Sequence, residues 1–288
     1  MQGIGAQVIK HLPSPRILGI VTAEMLVARG YPEDLWNCGG IELRADGVPV
    51  SDIGACLRDF TVEKNRHSFD GPLVFTLRLR RDGGAWENDA AAEREAVWQT
   101  LPAGVCDFVD LEIEEIDRIG SATLDSFRRA GIGVLLSHHN FSPPPPEGAP
   151  GATKAFASWN KILDAMRVHH PAGVKVAVAL DADPRVERGQ AEALLRLARR
   201  IANENPISCV LGMGEAGRLT RLVCPLLGCP LTYGYLGAKP LAPGQLPAPA
   251  MRRFFQRARS EGLPPEAAPE SEWLDWAAEL WARVEHAG

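Results

Sequence analysis

Gly173-Val-Lys-Val-Ala-Val-Ala-Leu180 is the segment of this 288-residue chain that says most about its fold. Apart from Lys175 it is apolar, which is typical of a strand buried on both faces of a parallel sheet. Seven more apolar or β-branched runs occur along the chain. The eight predicted strands span residues 16–23, 39–46, 72–79, 107–113, 133–139, 174–180, 209–214 and 231–236.

The segments between these strands have helical periodicity, most clearly at residues 90–101, 153–168 and 187–203. Such alternation predicts an α/β fold, a (β/α)8 TIM barrel in preference to a doubly wound sheet. We expect residues 1–288 to form a single domain that ends in an amphipathic helix at about 270–286. The Pro-rich stretch 142–150 could be an interdomain linker, but it follows the fifth strand, where a barrel has an active-site loop.

The composition indicates no affinity for nucleic acid or for anionic membranes. The net charge is −5 and the basic residues are spread along the chain. Residues 1–8 lack the basic and apolar regions of a signal peptide, and no segment has the apolar length of a membrane span. We therefore expect a soluble, cytoplasmic protein without a nucleic-acid or membrane partner.

The cysteines and histidines do not predict a metal site. Six cysteines lie in apolar surroundings without CxxC spacing, which favours reduced thiols in the core over disulfides or a zinc site. The nearest approach to a metal signal is the pair His138-His139, with a second pair at His169-His170. Neighbours on a strand point to opposite faces, so the first pair cannot chelate one ion.

Lys175 has two interpretations. A lysine within an apolar strand is poorly hydrated, and desolvation favours the free amine that can attack a carbonyl. The residue is therefore a candidate nucleophile that forms a Schiff base. The alternative is a lysine on an edge strand that points to solvent.

Polar side chains also lie near the ends of the other predicted strands. Period-two alternation puts Glu42, Arg44 and Asp46 on one face of the second strand, and Asp110 and Glu112 on one face of the fourth. In a barrel such residues converge on one mouth. Charges in a barrel interior are costly unless they are used or mutually satisfied, so a structural ion-pair network is the alternative for each of them.

The segment Gly212-Met-Gly214-Glu-Ala-Gly217 fits the G-x-G-x-x-G pattern of a dinucleotide site. Two features count against a nicotinamide cofactor. No acidic residue follows about 20 positions later to bind a ribose, and the motif follows the seventh strand instead of the first.

Six motifs, in this order along the chain, resemble type I 3-dehydroquinate dehydratase, the Schiff-base enzyme family of the shikimate and quinate pathways. The resemblance runs from about residue 17 to residue 245. Each motif is weak alone, but their order and spacing are specific. They are Glu42, Arg44 and Asp46 (E-x-R-x-D); Thr76, Arg78, Asp82, Gly83 and Gly84 (T-x-R-x-x-x-E-G-G); Ser137, His139 and Phe141 (S-x-H-x-F); Lys175 and Ala177 (K-x-A); Met213, Gly214, Gly217, Thr220 and Arg221 (M-G-x-x-G-x-x-S-R); and Leu241, Ala242, Pro243, Gly244 and Gln245 (S-A-P-G-Q).

The resemblance implies dehydration of 3-dehydroquinate to 3-dehydroshikimate without a metal or another cofactor. Lys175 would condense with the C3 ketone, and the iminium would accept the electrons of the carbanion. His139 would remove the C2 proton as general base and then protonate the departing C1 hydroxyl. Asp82 would occupy the position of the family glutamate that orients the histidine.

The resemblance also implies which residues bind the substrate. Arg221 would clamp the carboxylate, and Gln245 on a lid loop would bind ring hydroxyls and help to exclude water. The remaining positions in the polar lining and the lid are Glu42, Arg44, Arg78 and Leu241. We expect 3-dehydroquinate as the small-molecule partner and a homodimer as the assembly.

Three departures from the family pattern leave a second function open. Asp82 stands where the family has glutamate, Leu241 where the lid has serine, and Thr220 where serine precedes the arginine. The alternative is a catalytically impaired sensor that binds quinate-pathway ligands, although such a protein would need neither nucleophile nor base. A class I aldolase-like lyase would share the lysine but would not explain Arg221 or the lid.

Overall fold

The computed structural model describes residues 15–142, 151–205, 207–215 and 217–286. Residues 1–8 and residues 143–150 of the Pro-rich stretch therefore lie outside the described residues. Each of the eight predicted strands is present, with its ends shifted by up to three residues. They are β1 (Arg16–Val21), β2 (Gly40–Arg44), β3 (Leu73–Thr76), β4 (Phe108–Glu112), β5 (Gly133–Asn140), β6 (Gly173–Ala179), β7 (Ser208–Met213) and β8 (Leu231–Tyr235).

These strands form one parallel sheet in the order β7-β6-β5-β4-β3-β2-β1-β8-β9. The added strand, β9 (Leu246–Pro247), pairs with β8 and was not predicted. The sheet curls until β7 and β8 approach each other, without a hydrogen-bonded ladder between them in the described part of the chain. The fold is thus α/β and TIM-barrel-like, and the predicted fold class is confirmed.

Helices follow most of the strands. The predicted helices at 90–101, 153–168 and 187–203 correspond to the helices Ala91–Gln99, Gly151–Val168 and Pro184–Ala202. The helices are α1 (Ala23–Ala28), α2 (Val50–Arg66), α3 (Ala91–Gln99), α4 (Ser121–Ala130), α5 (Gly151–Val168), α6 (Pro184–Ala202), α7 (Gly217–Val223), α8 (Ala248–Glu261) and α9 (Glu270–His286). None of the helices in the described ranges is long and apolar enough to cross a bilayer.

The third strand is shorter than predicted. It ends at Thr76, and the chain then enters a 3-10 turn at Arg80–Asp82. Leu79 forms an isolated bridge with Trp86, so the residues between them make a small loop beside the barrel. Of the motif formed by Thr76, Arg78 and Asp82, only Thr76 lies on β3, and Arg78 and Asp82 follow it in the loop.

The core has two parts. One part lies between the sheet and the helices and includes the buried tryptophans Trp273 and Trp281 of α9. The other lies inside the barrel, where the first halves of several strands supply an apolar floor. This floor includes Leu18, Val74, Phe108, Leu135 and Leu231. Of the charged side chains described below, Glu42, Asp110, Glu112 and Lys175 lie on strands of this sheet, whereas Arg78, Arg94 and Arg221 lie on loops or helices that follow strands.

Candidate active site

Lys175 lies within the barrel on β6, which pairs with β5 on one side and β7 on the other. Only 6% of the residue is exposed, so the solvent-exposed edge-strand interpretation is wrong. The apolar surroundings inferred from the strand are also incomplete, because Nζ lies 3.0 Å from Asp110 Oδ2 and 3.6 Å from Glu42 Oε1. The candidate nucleophile is therefore within ion-pair distance of two carboxylates.

Asp110 is the central anion of this cluster. Ser137 Oγ donates to Asp110 Oδ1 at 2.6 Å, and Arg78 Nη2 lies 2.6 Å from Oδ2, the oxygen that also contacts Lys175. Burial alone would raise the pKa of Asp110, but the charges of Arg78 and Lys175 outweigh it and hold the pKa well below its usual range. The carboxylate therefore stays ionised and fixes both cations.

Arg78 is held in a buried chain of charges. Its Nη1 donates to Glu112 Oε1 at 2.8 Å, and the other oxygen of Glu112 accepts from Arg94 of α3 at 2.5 Å. The Arg94 guanidinium in turn lies 4.4 Å above the Trp98 ring. Arg78 thus forms ion pairs with two carboxylates of the protein, Asp110 and Glu112.

His139 is the titratable group beside this chain. Its Nδ1 lies 3.2 Å from Arg78 Nη1, which can only donate, so the contact favours the tautomer with Nδ1 unprotonated. Loss of hydration lowers the pKa of His139 well below its usual value, and the charges of Arg78 and Lys175 lower it further. The imidazole is neutral at pH 7, as a general base requires.

Asp82 does not reach His139. No hydrogen bond joins the two residues in the described part of the chain, and the nearest cation to Asp82 Oδ2 is Arg81 Nε at 3.5 Å. Burial raises the pKa of Asp82, and the charge of Glu112 adds to that effect. Instead, the ring of Phe141 connects this turn to the histidine. It stacks on His139 at a centroid distance of 6.5 Å and packs against Gly83, where an added Cβ would lie 2.8 Å from the ring.

The second strand contributes Glu42 and Arg44. Glu42 Oε1 accepts from Thr76 Oγ1 at 3.0 Å and faces Lys175. Arg44 forms a bidentate pair with Asp46 at 2.7 and 3.0 Å, and Asp46 also accepts from the backbone of Ala85. Glu42 is therefore next to the candidate nucleophile, while Asp46 fixes the direction of Arg44.

Arg221 differs from the other buried cations because it has no carboxylate partner in the described part of the chain. It is 2% exposed, and among the described residues its guanidinium donates one hydrogen bond, from Nη2 to the carbonyl of Pro243 at 3.2 Å. Burial lowers the pKa of Arg221 to about 10, so the group is still charged at neutral pH. A buried guanidinium without a counter-ion is suited to bind an anionic ligand.

The lid segment, residues 241–245, lies directly over Arg221. Gly244 has φ +71° and lies so close to the turn after β7 that an added Cβ would be 2.5 Å from the carbonyl oxygen of Gly214. Gln245 is buried, and its Oε1 accepts from the backbone of Leu241 at 2.8 Å. Leu241 itself is 48% exposed. The predicted lid residues are thus together at the mouth.

The G-x-G-x-x-G pattern is explained by packing. Gly217 at the start of α7 lies against Gly212, where an added Cβ would be 2.5 Å from the backbone. Thr220 Oγ1 accepts from the Gly212 amide at 2.8 Å and donates to the Gly217 carbonyl at 2.6 Å. The motif therefore makes a tight strand-to-helix turn that directs Arg221 into the site.

The site residues described above lie within the part of the chain that matches a known family. The sequence matches the type I 3-dehydroquinase family over residues 34–260, which is more than three quarters of the chain. The chain belongs to this family. The predicted family, its hydro-lyase class and the fold are thereby confirmed.

Two similar sequences and one similar solved structure are 3-dehydroquinate dehydratases. A 3-dehydroquinate dehydratase from Methanothrix thermoacetophila is 31% identical over 207 residues, which are 72% of this chain and 76% of the relative. One from Coxiella burnetii strain RSA 493 is 29% identical over 185 residues, which are 64% and 70% of the two chains. The crystal structure of the Geobacillus kaustophilus HTA426 3-dehydroquinate dehydratase has a TM-score of 0.65 at 21% identity and covers 86% of this chain and 92% of its own. This last likeness shows the fold.

The sequence reasoning missed two residues of this type I 3-dehydroquinase that contact the cluster. Tyr233 of β8 places its ring 4.1 Å from Lys175 Nζ, and Arg94 reaches Glu112 from a helix. A weak signal existed for Arg94, because it is three and four positions before the buried Val97 and Trp98 and so shares their helix face. For Tyr233 the only signal was its position within the eighth strand.

Proposed function

We propose that this chain dehydrates 3-dehydroquinate to 3-dehydroshikimate through an imine on Lys175. The observation that carries the proposal is that a chain of this family has both a buried lysine and a buried arginine without a carboxylate partner among the described residues. Lys175 provides the nucleophile, and Arg221 provides the charge for the carboxylate of the substrate. The other buried cations, Arg78 and Arg94, already have carboxylate partners.

The first step converts the Lys175 ammonium into an attacking amine. Among the described residues, Asp110 and Glu42 have carboxylate oxygens within 4 Å of Nζ; because Asp110 stays ionised, Glu42 is the one that accepts the proton, directly or through water. The amine then adds to the C3 carbonyl, and loss of water gives a protonated imine. That iminium stabilises the negative charge that develops when the C2 proton is removed. Hydrolysis of the product imine returns the water, so the net change is the loss of one water from the substrate.

His139 serves as the base at C2 and then as the acid at C1. To accept a proton at Nε2, the ring must carry its own proton on Nδ1, which requires Arg78 to release that nitrogen. Arg78 Nη1 can do so without being left unpaired, because Glu112 Oε1 lies at 2.8 Å and Ser137 Oγ at 3.1 Å. The base thus becomes available by a small rearrangement within the charge chain.

The remaining binding roles follow from the lid. Arg221 clamps the substrate carboxylate, and the lid carbonyl of Pro243 holds the guanidinium in place until then. Gln245 and Leu241 are the lid residues that meet the substrate in this proposal, and Glu42, Arg44 and Arg78 complete the polar lining. We further propose a single domain, a homodimer and a cytoplasmic location, with no metal, nucleic-acid or membrane partner.

One observation favours the second candidate, a binding protein without turnover. Asp82, in the position of the orienting glutamate, does not contact His139. The two candidates differ in one product. Added 3-dehydroquinate should give the absorbance of the conjugated enone with the native chain and with Lys161→Ala, but not with Lys175→Ala. Saturable binding without the enone would support the sensor and contradict the dehydratase.

A further inference from the structure

Tyr233 has no role in the mechanism above, yet its ring is one of the surfaces that enclose the reacting nitrogen. The residue is 3% exposed, and its ring centroid lies 4.1 Å from Lys175 Nζ. Two carboxylates of the described residues also approach Nζ, Asp110 at 3.0 Å and Glu42 at 3.6 Å. The nitrogen is thus held by two anions and one aromatic face.

The aromatic face differs from the carboxylates in what it does during the reaction. A carboxylate can take a proton from the ammonium, whereas the ring only offers the negative face of its quadrupole to a cation. The nitrogen is positive as an ammonium before the reaction and positive again as an iminium after water is lost. A ring that stays beside the nitrogen stabilises the second cation when a carboxylate has been neutralised by the proton it accepted.

We infer that the Tyr233 ring is a catalytic surface that holds the Lys175 nitrogen and stabilises the iminium formed there. This inference rests on the proposed imine mechanism. The tyrosine hydroxyl is not what supports it, since that oxygen is buried and has no hydrogen-bond partner in the described part of the chain. The contact with Lys175 is made by the ring, which a phenylalanine would retain.

The test changes the electrostatic potential at the face of the ring while the shape of the ring stays nearly constant. Tyr233 is replaced by phenylalanine, 4-fluorophenylalanine and 3,4,5-trifluorophenylalanine, because each added fluorine weakens the cation-binding face. For each variant we measure kcat and the fraction of chain trapped by sodium borohydride in the presence of 3-dehydroquinate. Phenylalanine should stay within about twofold of the native chain, and trifluorination should lower both quantities by about tenfold, with the monofluorinated ring between them.

Tyr31 supplies the matched control. Its hydroxyl is also buried without a partner, but its ring packs on Trp36 and Phe60, with centroid distances of 6.0 and 5.3 Å, and not on a lysine. The same three replacements at Tyr31 should leave trapping and kcat unchanged. If the variant with 3,4,5-trifluorophenylalanine at position 233 fails to fold, the comparison of phenylalanine with 4-fluorophenylalanine still tests the direction of the effect.

The outcomes separate this inference from the proposed function. If the native chain itself traps no ligand, the imine mechanism is wrong. If the native chain traps ligand and the fluorinated series at position 233 is flat, only the role of the ring is overturned. A large loss with phenylalanine followed by no further loss on fluorination would also overturn it, because the hydroxyl would then be the active group.

Discussion

At the scale of single residues, the chemistry depends on how each charge is satisfied. Three buried carboxylates, Glu42, Asp110 and Glu112, pair with Lys175, Arg78 and Arg94, whereas Arg221 has no carboxylate partner among the described residues. Paired charges of this kind are stable when buried, and an unpaired cation is stable only if a ligand or its hydration compensates. The paired cations therefore stabilise the site, whereas Arg221 is available to bind an anionic ligand.

The pH dependence of kcat/KM, which reports the free protein, follows from His139. Burial and the nearby cations lower its pKa well below the usual value, and a general base is active only while it is unprotonated. The constant kcat/KM should therefore persist as the pH falls below the usual histidine pKa of about 6.5, and should be lost only when the pH passes the lowered value. Measuring kcat/KM from pH 4.5 to 8 checks this. His138→Gln should have the same profile, and an acid limb centred at or above 6.5 would contradict the assignment.

Asp82 should matter little for proton transfer in this chain. It makes no hydrogen bond to His139, so Asp82→Asn removes a charge without removing a contact of the base. We expect kcat to stay within about threefold, while Arg78→Met should lower it by about a hundredfold or more, because the base loses its neighbour and two carboxylates lose their partner. Steady-state kinetics decide the point. A loss with Asp82→Asn that is as large as the loss with Arg78→Met would show that the carboxylate moves to the histidine when substrate binds.

Leu241 should weaken substrate binding without slowing the chemistry. Its side chain is 48% exposed, so it contributes little packing to the lid. Leu241→Ser should lower KM several-fold with little change in kcat, since one neutral hydrogen bond is worth about 0.5–1.5 kcal/mol. If serine raises KM instead, the leucine packs the lid shut in the closed state and the hydrogen-bond account is wrong.

At the scale of elements, the turn after β7 and the lid act together. The turn sets the position of Arg221 through Gly212, Gly217 and Thr220, and the lid closes on the same turn through Gly244. Gly244 has two reasons to be glycine, a positive φ and the lack of space beside Gly214. The element contact is therefore sensitive to a single methyl group.

Gly244→Ala should raise KM and lower kcat, each by about tenfold, because the lid carbonyl that holds Arg221 is displaced. Gly104 offers a matched control. It also has a positive φ, +78°, but nothing lies within 4 Å of an added Cβ. Gly104→Ala should thus cost similar backbone strain and leave both constants unchanged. Equal kinetic effects in the two variants would show that strain alone, and not the lid contact, is responsible.

The elements were largely predictable from the sequence, and the contacts among them were not. Apolar runs and helical periodicity are local patterns, so they predicted the strands and the main helices. β9 was missed because it has two residues, one of them a proline. β3 was predicted too long because Leu77 and Leu79 continue its apolar pattern into the loop, where Leu79 pairs with Trp86.

At the scale of the whole molecule, the curled parallel sheet brings together residues that are far apart in the chain. Lys175 contacts Asp110 across the intervening strand β5, and Arg78 meets carboxylates from β4. Which charges pair depends on strand register and on helices such as α3, so the sequence predicted a polar mouth but not the chain from Arg94 to His139. The roles of Lys175 and His139 were inferred from the resemblance, whereas the residues that contact them are seen only in the structure.

The central claim is that Lys175 forms an imine with 3-dehydroquinate. Sodium borohydride added with the ligand, followed by digestion and mass spectrometry, measures this most directly. We predict a ligand-sized adduct on the peptide that contains Lys175 in the native chain, and also in His139→Ala, where imine formation remains possible although turnover is lost. An adduct on another lysine, or none in the native chain, would contradict the account.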